Sequence, residues 1–102
     1  MFIKLIEVYS EMNHGAKAFD NIKRFHLREL VVNTNYIVSL KEETSMQYYL
    51  ERGQLPEGLK KEQSFTNITL MKGHIGTDTI VVGSLESIQK IINSDDRVLL
   101  KG

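Results

Sequence analysis

The alternation of apolar and polar residues predicts five short strands. FIKLIEVY at 2–9 is rich in β-branched and aromatic residues, which is typical of a strand. Further strands are predicted at 25–32, 36–43, 65–72 and 79–83, with imperfect alternation over 25–32. A turn is expected at 33–35, because Asn33 and Asn35 tolerate tight backbone and bond to their own chain. GHIGTD at 73–78 is expected to join the last two strands as a hairpin turn.

A helical period marks the segment 84–93. Leu85, Ile88, Ile91 and Ile92 lie on one stripe, which would pack on the sheet. Ser84 is a suitable N-cap. Asn93-Ser94-Asp95-Asp96 is expected to end this helix, and residues 97–102 to form one more short strand or an ordered tail.

A shorter helix is predicted near 45–52. Thr44 and Gln47 have the spacing of a capping box, and Gly53 would end the helix in the left-handed conformation. A polar loop then completes the segment 44–64. The alternative for this segment is a disordered hairpin tip. The segment 10–24 has two interpretations, a short helical turn or a loop.

Together these elements predict one α+β domain over residues 1–102. We expect a small, curved, barrel-like antiparallel sheet of about five strands. The C-terminal helix packs on this sheet, and a short helical insertion adds to it. The segments 10–24 and 44–64 are the two insertions.

The composition narrows the classes of function. The 13 basic and 13 acidic residues cancel, whereas a dedicated duplex-binding domain is usually basic. The sequence contains no cysteine, which excludes disulfide and thiolate chemistry and favours a reducing compartment. No apolar run approaches the roughly 20 residues that a membrane helix needs. We therefore expect a cytoplasmic protein that does not bind membranes.

Catalytic, metal and cofactor motifs give no support for an enzyme. His14, His26 and His74 are too far apart in sequence to form a metal-ligand motif. Glu42 and Glu43 are adjacent, so in a strand they point to opposite faces and do not form an acid–base pair. We predict no cofactor, no metal and no enzymatic activity. An enzyme with a dispersed site stays open as an alternative.

A basic cluster lies at the start of the second predicted strand. Lys23, Arg24 and Arg28 flank Phe25, and basic residues with an aromatic ring are how small β-barrels hold single-stranded nucleic acid. A solvated strand face explains the same residues. Single-stranded nucleic-acid binding is therefore the alternative function.

Aromatic residues beside the second insertion suggest a partner surface. Tyr36 precedes this insertion, Tyr48 and Tyr49 lie in it together with Met46, and tyrosine is enriched at interfaces. Packing over the core explains the same tyrosines equally well. A sheet of this size also leaves an unpaired edge, which is a template for another chain. The predicted function is accordingly an adaptor or regulatory module that acts through protein–protein contacts and self-associates.

Several short motifs resemble the FlbD family of small flagellar and swarming motility proteins. The similarity begins with IKLIEV and covers about two thirds of the chain. The matching residues are Val32, Asn33, Tyr36, Ile37, Leu40, Glu42, Ile68, Leu70, Gly73, Val81, Val82, Ser84, Glu86 and Ile88.

The resemblance implies a small, non-enzymatic, β-rich protein and supplies no catalytic residues. Two departures from the family pattern stand out. The segments 10–24 and 44–64 look like insertions in the family's loops, and Gly83 stands where an acidic residue is common.

Overall fold

Five strands and two helices make up the computed structural model, which describes residues 1–11 and 24–101. The strands are β1 (Phe2–Glu11), β2 (Arg24–Asn33), β3 (Ile37–Glu43), β4 (Phe65–Lys72) and β5 (Ile75–Val82), and the helices are α1 (Met46–Glu51) and α2 (Leu85–Lys101). The predicted α+β class is confirmed. The predictions for most of 10–24, including the position of Lys23, lie outside the described residues.

The strands form one antiparallel sheet in the order β2-β1-β5-β4-β3. The edge strands β2 and β3 are joined by the 3₁₀ turn Thr34–Tyr36, where Asn33 Oδ1 accepts a hydrogen bond from Asn35 N at 3.1 Å. The predicted turn is confirmed, and it carries the chain from one edge of the sheet to the other. Because only Thr34–Tyr36 join the two edge strands, the sheet curves. It stays open, since β2 and β3 do not pair, and the prediction of a barrel holds only loosely.

Two apolar clusters lie on opposite faces of the sheet. The cluster on the face covered by α2, here the α2 face, contains Ile3, Leu5, Val32, Ile68, Val81 and Ile88. The cluster on the face covered by α1, here the α1 face, contains Val8, Phe25, Met46, Leu55 and Phe65. Alternate residues of a strand point to opposite faces of the sheet. A strand that contributes to both clusters therefore has its apolar residues at odd positions in one part and at even positions in the other.

This change explains the imperfect alternation of β2. Phe25 and Leu27 pack in the cluster of the α1 face, whereas Leu30 and Val32 pack in that of the α2 face. The sheet is therefore covered on both faces, but at different places.

Helix α2 begins as predicted and continues further. Ser84 Oγ accepts a hydrogen bond from Ser87 N at 3.1 Å, the contact of an N-cap. The predicted end at 93–96 and the alternative strand at 97–102 are wrong, because the helix runs to Lys101. Asn, Ser and Asp each cost a helix only about 0.7 kcal/mol or less, and neither Gly nor Pro interrupts the segment before Gly102.

Gly83 sets the approach of α2 to the sheet. Its φ is +129°, and a Cβ built there would lie 3.1 Å from Ile88 Cδ1 and from Ser87 Oγ. Gly83 N also donates to Ser64 O at 2.9 Å, and Gly83 O accepts from the buried Thr66 Oγ1 at 2.9 Å. Only glycine provides both this backbone conformation and this close contact.

Helix α1 occupies the predicted region, but its capping differs from the prediction. The capping box is wrong, since Gln47 Nε2 donates to Gln63 O at 3.1 Å and ties the helix to the end of the loop. Gly53 does end the helix with φ +68°, and Gln54 N donates to Tyr49 O at 3.0 Å. Leu55 is buried beyond it, so the segment 44–64 packs on the sheet as a helix and loop.

Strand β5 is longer than predicted. Lys72 pairs with Ile75, so the turn contains only Gly73 and His74. The predicted six-residue turn at 73–78 is wrong because Gly76 and Asp78 are strand residues, and Thr69 Oγ1 donates to Asp78 Oδ1 at 2.8 Å.

Within residues 1–11 and 24–101, neither helix has the length and apolar character that crossing a membrane requires.

Two isoleucines of the β4–β5 hairpin test the assignment of the core. Ile68 is fully buried, whereas Ile75 is 74% exposed. We expect Ile68→Ala to lower the free energy of unfolding by roughly 2–5 kcal/mol, because it leaves a cavity. The control Ile75→Ala should change it by about 0.5 kcal/mol or less. Urea unfolding measures both values, and equal losses would contradict the described core.

The carboxylate of Glu43 should make stability depend on pH. Hydrogen bonds from Ser45 Oγ (2.6 Å) and Asn67 Nδ2 (3.3 Å) lower the pKa of Glu43, with Ser45 as the larger cause. A lowered pKa stabilises the folded state above the unfolded-state pKa, and this contribution is lost as pH falls through the folded-state pKa. The stability difference between the wild type and Glu43→Gln should therefore be largest at neutral pH and shrink between about pH 5 and pH 3. Urea unfolding across this range measures it, and a difference independent of pH would refute the assignment.

Candidate partner surface at the end of β2

A groove of about 420 Å³ opens between the end of β2 and the β4–β5 turn. Leu30 and Val32 line it from β2, and Leu70, Thr77 and Thr79 line it from β4 and β5. These side chains all point to the α2 face. Residues of β2 and β4 meet in one groove although two strands separate them in the sheet, and the curvature of the sheet brings them together.

Exposed apolar side chains surround this groove. Val31 is 60% exposed, Tyr36 43%, Met71 40% and Ile75 74%, and all four line it. Val31 alternates with Leu30 and Val32, and Met71 follows Leu70, so both side chains point to the α1 face at the two margins of the groove. We call these four residues the groove rim. An exposed apolar patch rimmed by polar residues is typical of an interaction site.

One ion pair lies at the inner end of the groove. Arg28 Nε donates to Glu7 Oε1 at 2.6 Å, and this hydrogen bond is the main reason that the pKa of Arg28 is raised. The Arg28 guanidinium also lies 4.2 Å from the ring centroid of Tyr9, a cation–π contact. Lys72 lines the groove as well, and it makes no ion pair with the part of the chain that the structure describes.

The residues predicted for nucleic-acid binding do not form one surface. Phe25 is only 9% exposed, and its ring packs against Tyr49 at a centroid distance of 4.7 Å. It is therefore not available to stack on a base. Arg28 is held by Glu7, Arg24 is exposed, and Lys23 lies outside the described residues.

The predicted partner residues are divided between the two faces. Tyr36 belongs to the groove rim, whereas Met46 is 4% exposed and lies in the cluster of the α1 face, not on the surface as predicted. The apolar period of α1 points Met46 and Tyr49 inward together. Tyr48 is 54% exposed, and the Arg52 guanidinium lies 3.5 Å from its ring centroid.

Acidic residues and histidines do not converge on a metal site in the described part of the chain, where no group of three or more His, Cys, Asp or Glu is close enough to hold an ion. Glu42 pairs with Thr66 and Glu43 with Phe65, which places the two carboxylates on opposite faces, as predicted. Glu43 joins β3 to Ser45 and Asn67. Its hydrogen bonds give this carboxylate a structural role.

Three residues of the groove rim were missed from the sequence. The sequence pattern predicts Val31 and Met71 only as strand residues and Ile75 only as part of a turn. The start of β5 at Ile75 could have been predicted, because an isoleucine directly after Gly73-His74 suits the first position of the second strand of a hairpin. No sequence signal shows that Val31 and Ile75 share a groove.

Comparisons with protein-family models, curated proteins and solved structures gave no match for this chain. The resemblance to the FlbD family therefore stays a prediction.

The arrangement around Arg28 bears on the nucleic-acid alternative. Arg24→Ala and Arg28→Ala should each change the affinity for a labelled single-stranded oligonucleotide by less than about twofold, because Phe25 is buried and Arg28 is ion-paired. Anisotropy titrations at two salt concentrations measure this affinity. Glu7→Gln is the control, since it releases the guanidinium without changing shape. A loss above about tenfold in either arginine variant, with a shallower salt dependence, would support a nucleic-acid interface instead.

Proposed function

We propose that the protein is a non-enzymatic adaptor or regulatory module that acts through protein–protein contacts and self-associates. The observation that carries this proposal is the groove rim. Val31, Tyr36, Met71 and Ile75 expose apolar surface around one concave site. Burying such surface is the main favourable term in protein association.

The two edge strands differ in the positions of their charged residues, and this difference favours β2 as the edge that contacts a partner protein. The outer strand β3 carries Lys41, Glu42 and Glu43 in its second half, and charges on an edge strand oppose pairing with another chain. The last residues of β2, Leu30 to Val32, carry no charge. The first half of β3 is also uncharged, but of these two uncharged segments only the one in β2 lines the groove.

Neighbouring apolar residues extend the surface beyond the groove. Phe2 is 69% exposed and pairs with Asn33, and Val38 is 56% exposed at the start of β3. A specific interface buries about 1,200–2,000 Å² in total. We expect a partner to cover these two residues as well as the groove rim.

The ion pair of the groove favours binding over catalysis. Glu7 and Arg28 are bound to each other, whereas a catalytic acid or base needs a group that is free to exchange a proton with a substrate. The resemblance to the FlbD family supports the same class of function. The lack of cysteine in the sequence supports a cytoplasmic place of action.

Self-association tests whether the groove rim is a contact surface. Sedimentation velocity across a concentration series should show the wild type associating at high micromolar concentration, and Ile75→Lys should shift the protein to monomer because it places a charge in the contact. Ile91→Lys is the matched control, since Ile91 is 40% exposed on α2 and does not line the groove. A wild type that stays monomeric at every concentration, or equal effects of both variants, would refute this part of the proposal.

A further inference from the structure

The hydrogen-bonding direction of β2 can be read from two contacts at its ends. Phe25 N donates outward, away from β1, to Gln54 O at 3.4 Å, and Thr34 N donates inward to Met1 O at 2.9 Å. The register between β1 and β2 has no bulge from end to end. Backbone groups alternate in direction along an antiparallel strand. Odd-numbered residues of β2 therefore point their N–H and C=O groups away from the sheet.

This direction leaves a row of backbone groups without a strand partner. Gln54 O occupies the position beside Phe25. Beyond it, Leu27, Glu29, Val31 and Asn33 present their N–H and C=O groups outward, and no described strand pairs with them. The outward groups of Val31 and Asn33 lie where β2 lines the groove. An unpaired ladder and an apolar groove thus meet at one place.

Resting on the proposed function, we propose that this site binds an extended peptide segment of a partner protein, which adds as a sixth strand beside Leu27–Asn33. Its backbone pairs with the outward groups of β2. Its alternate side chains are apolar and enter the groove beside Leu30 and Val32. This mode of binding combines main-chain hydrogen bonds with pockets for every second side chain.

The charges of the groove specify one further feature of the segment. Arg28 is neutralised by Glu7, whereas Lys72 is unpaired among the described residues. The groove therefore has an uncompensated positive charge at the β4–β5 turn. An acidic residue at the corresponding end of the segment complements this charge.

A second copy of the chain fits the site less well. Glu29 is the only acidic residue of β2, and its side chain points to the α1 face. Lys72 points to the α2 face, so a second β2 strand brings no carboxylate to it. Addition of β3 from another copy gives a head-to-tail contact, which does not form a closed twofold dimer. Self-association through the groove rim is a contact of side chains, and the peptide should displace it.

The experiment uses the full chain and a fluorescent peptide of about seven residues, the length that matches Leu27–Asn33. The peptide alternates valine with threonine and carries aspartate at one end. A second peptide carries the aspartate at the other end. Two further peptides are N-methylated at alternate amides, one on the odd positions and one on the even positions. Fluorescence anisotropy measures the four affinities.

Strand addition predicts an asymmetry between the two methylated peptides. One set of amides faces β2 and the other faces solvent, so one methylated peptide should lose at least about tenfold in affinity and the other little. The peptide with aspartate near Lys72 should bind more tightly, and Lys72→Glu should reverse that preference. In hydrogen exchange, the peptide should protect the amides of Glu29 and Val31, whereas those of Arg28 and Leu30 already bond to β1.

Each result separates this inference from the proposed function. Equal affinity of the two methylated peptides, or unprotected amides at Glu29 and Val31, would overturn strand addition. If self-association still depends on Ile75 in that case, the groove rim remains a protein contact of another kind. Protection of the same two amides by increasing protein concentration alone would identify a second copy as the occupant and overturn the proposed peptide.

Discussion

The short contact between β1 and β5 holds the two halves of the sheet together. The β1–β2 ladder runs over the whole length of both strands, and β4 pairs with β5 over eight residues. Between these halves, the pairs in the described part of the chain are Glu7 with Val81 and Val8 with Ile80. The hydrogen bonds between strands therefore join the two halves of the sheet at a single point and do not by themselves set the angle between them. The two side-chain clusters, one on each face of this junction, set their relative orientation.

The groove is a product of the curvature of the sheet. Thr34–Tyr36 join the end of β2 directly to β3, and Ile37 of β3 pairs with Leu70 of β4, so the end of β2 comes to lie beside the β4–β5 hairpin. No described strand fills the space between β2 and the hairpin, and the side chains of Tyr36 and Ile75 are therefore exposed at its margin.

Local signals predicted the elements well, and long-range geometry could not be predicted. Strand β4 was predicted with its correct bounds, and Ser84 was correctly identified as the N-cap of α2, because period and capping depend on nearby residues. The length of α2 was missed because Asn93 to Asp96 resemble a terminus, although they are only weak helix formers. The groove was missed because Val31 and Ile75 lie far apart in sequence and meet only through the curvature of the sheet.

Gly83 has a consequence for which sequences this fold can accept. Any side chain at this position would need to occupy the space that Ile88 and Ser87 fill, in a backbone conformation that L side chains rarely adopt. A residue other than glycine therefore requires α2 to lie farther from the sheet and a different residue on the helix to refill the contact. Positions 83 and 88 can thus change only together, although each belongs to a different element.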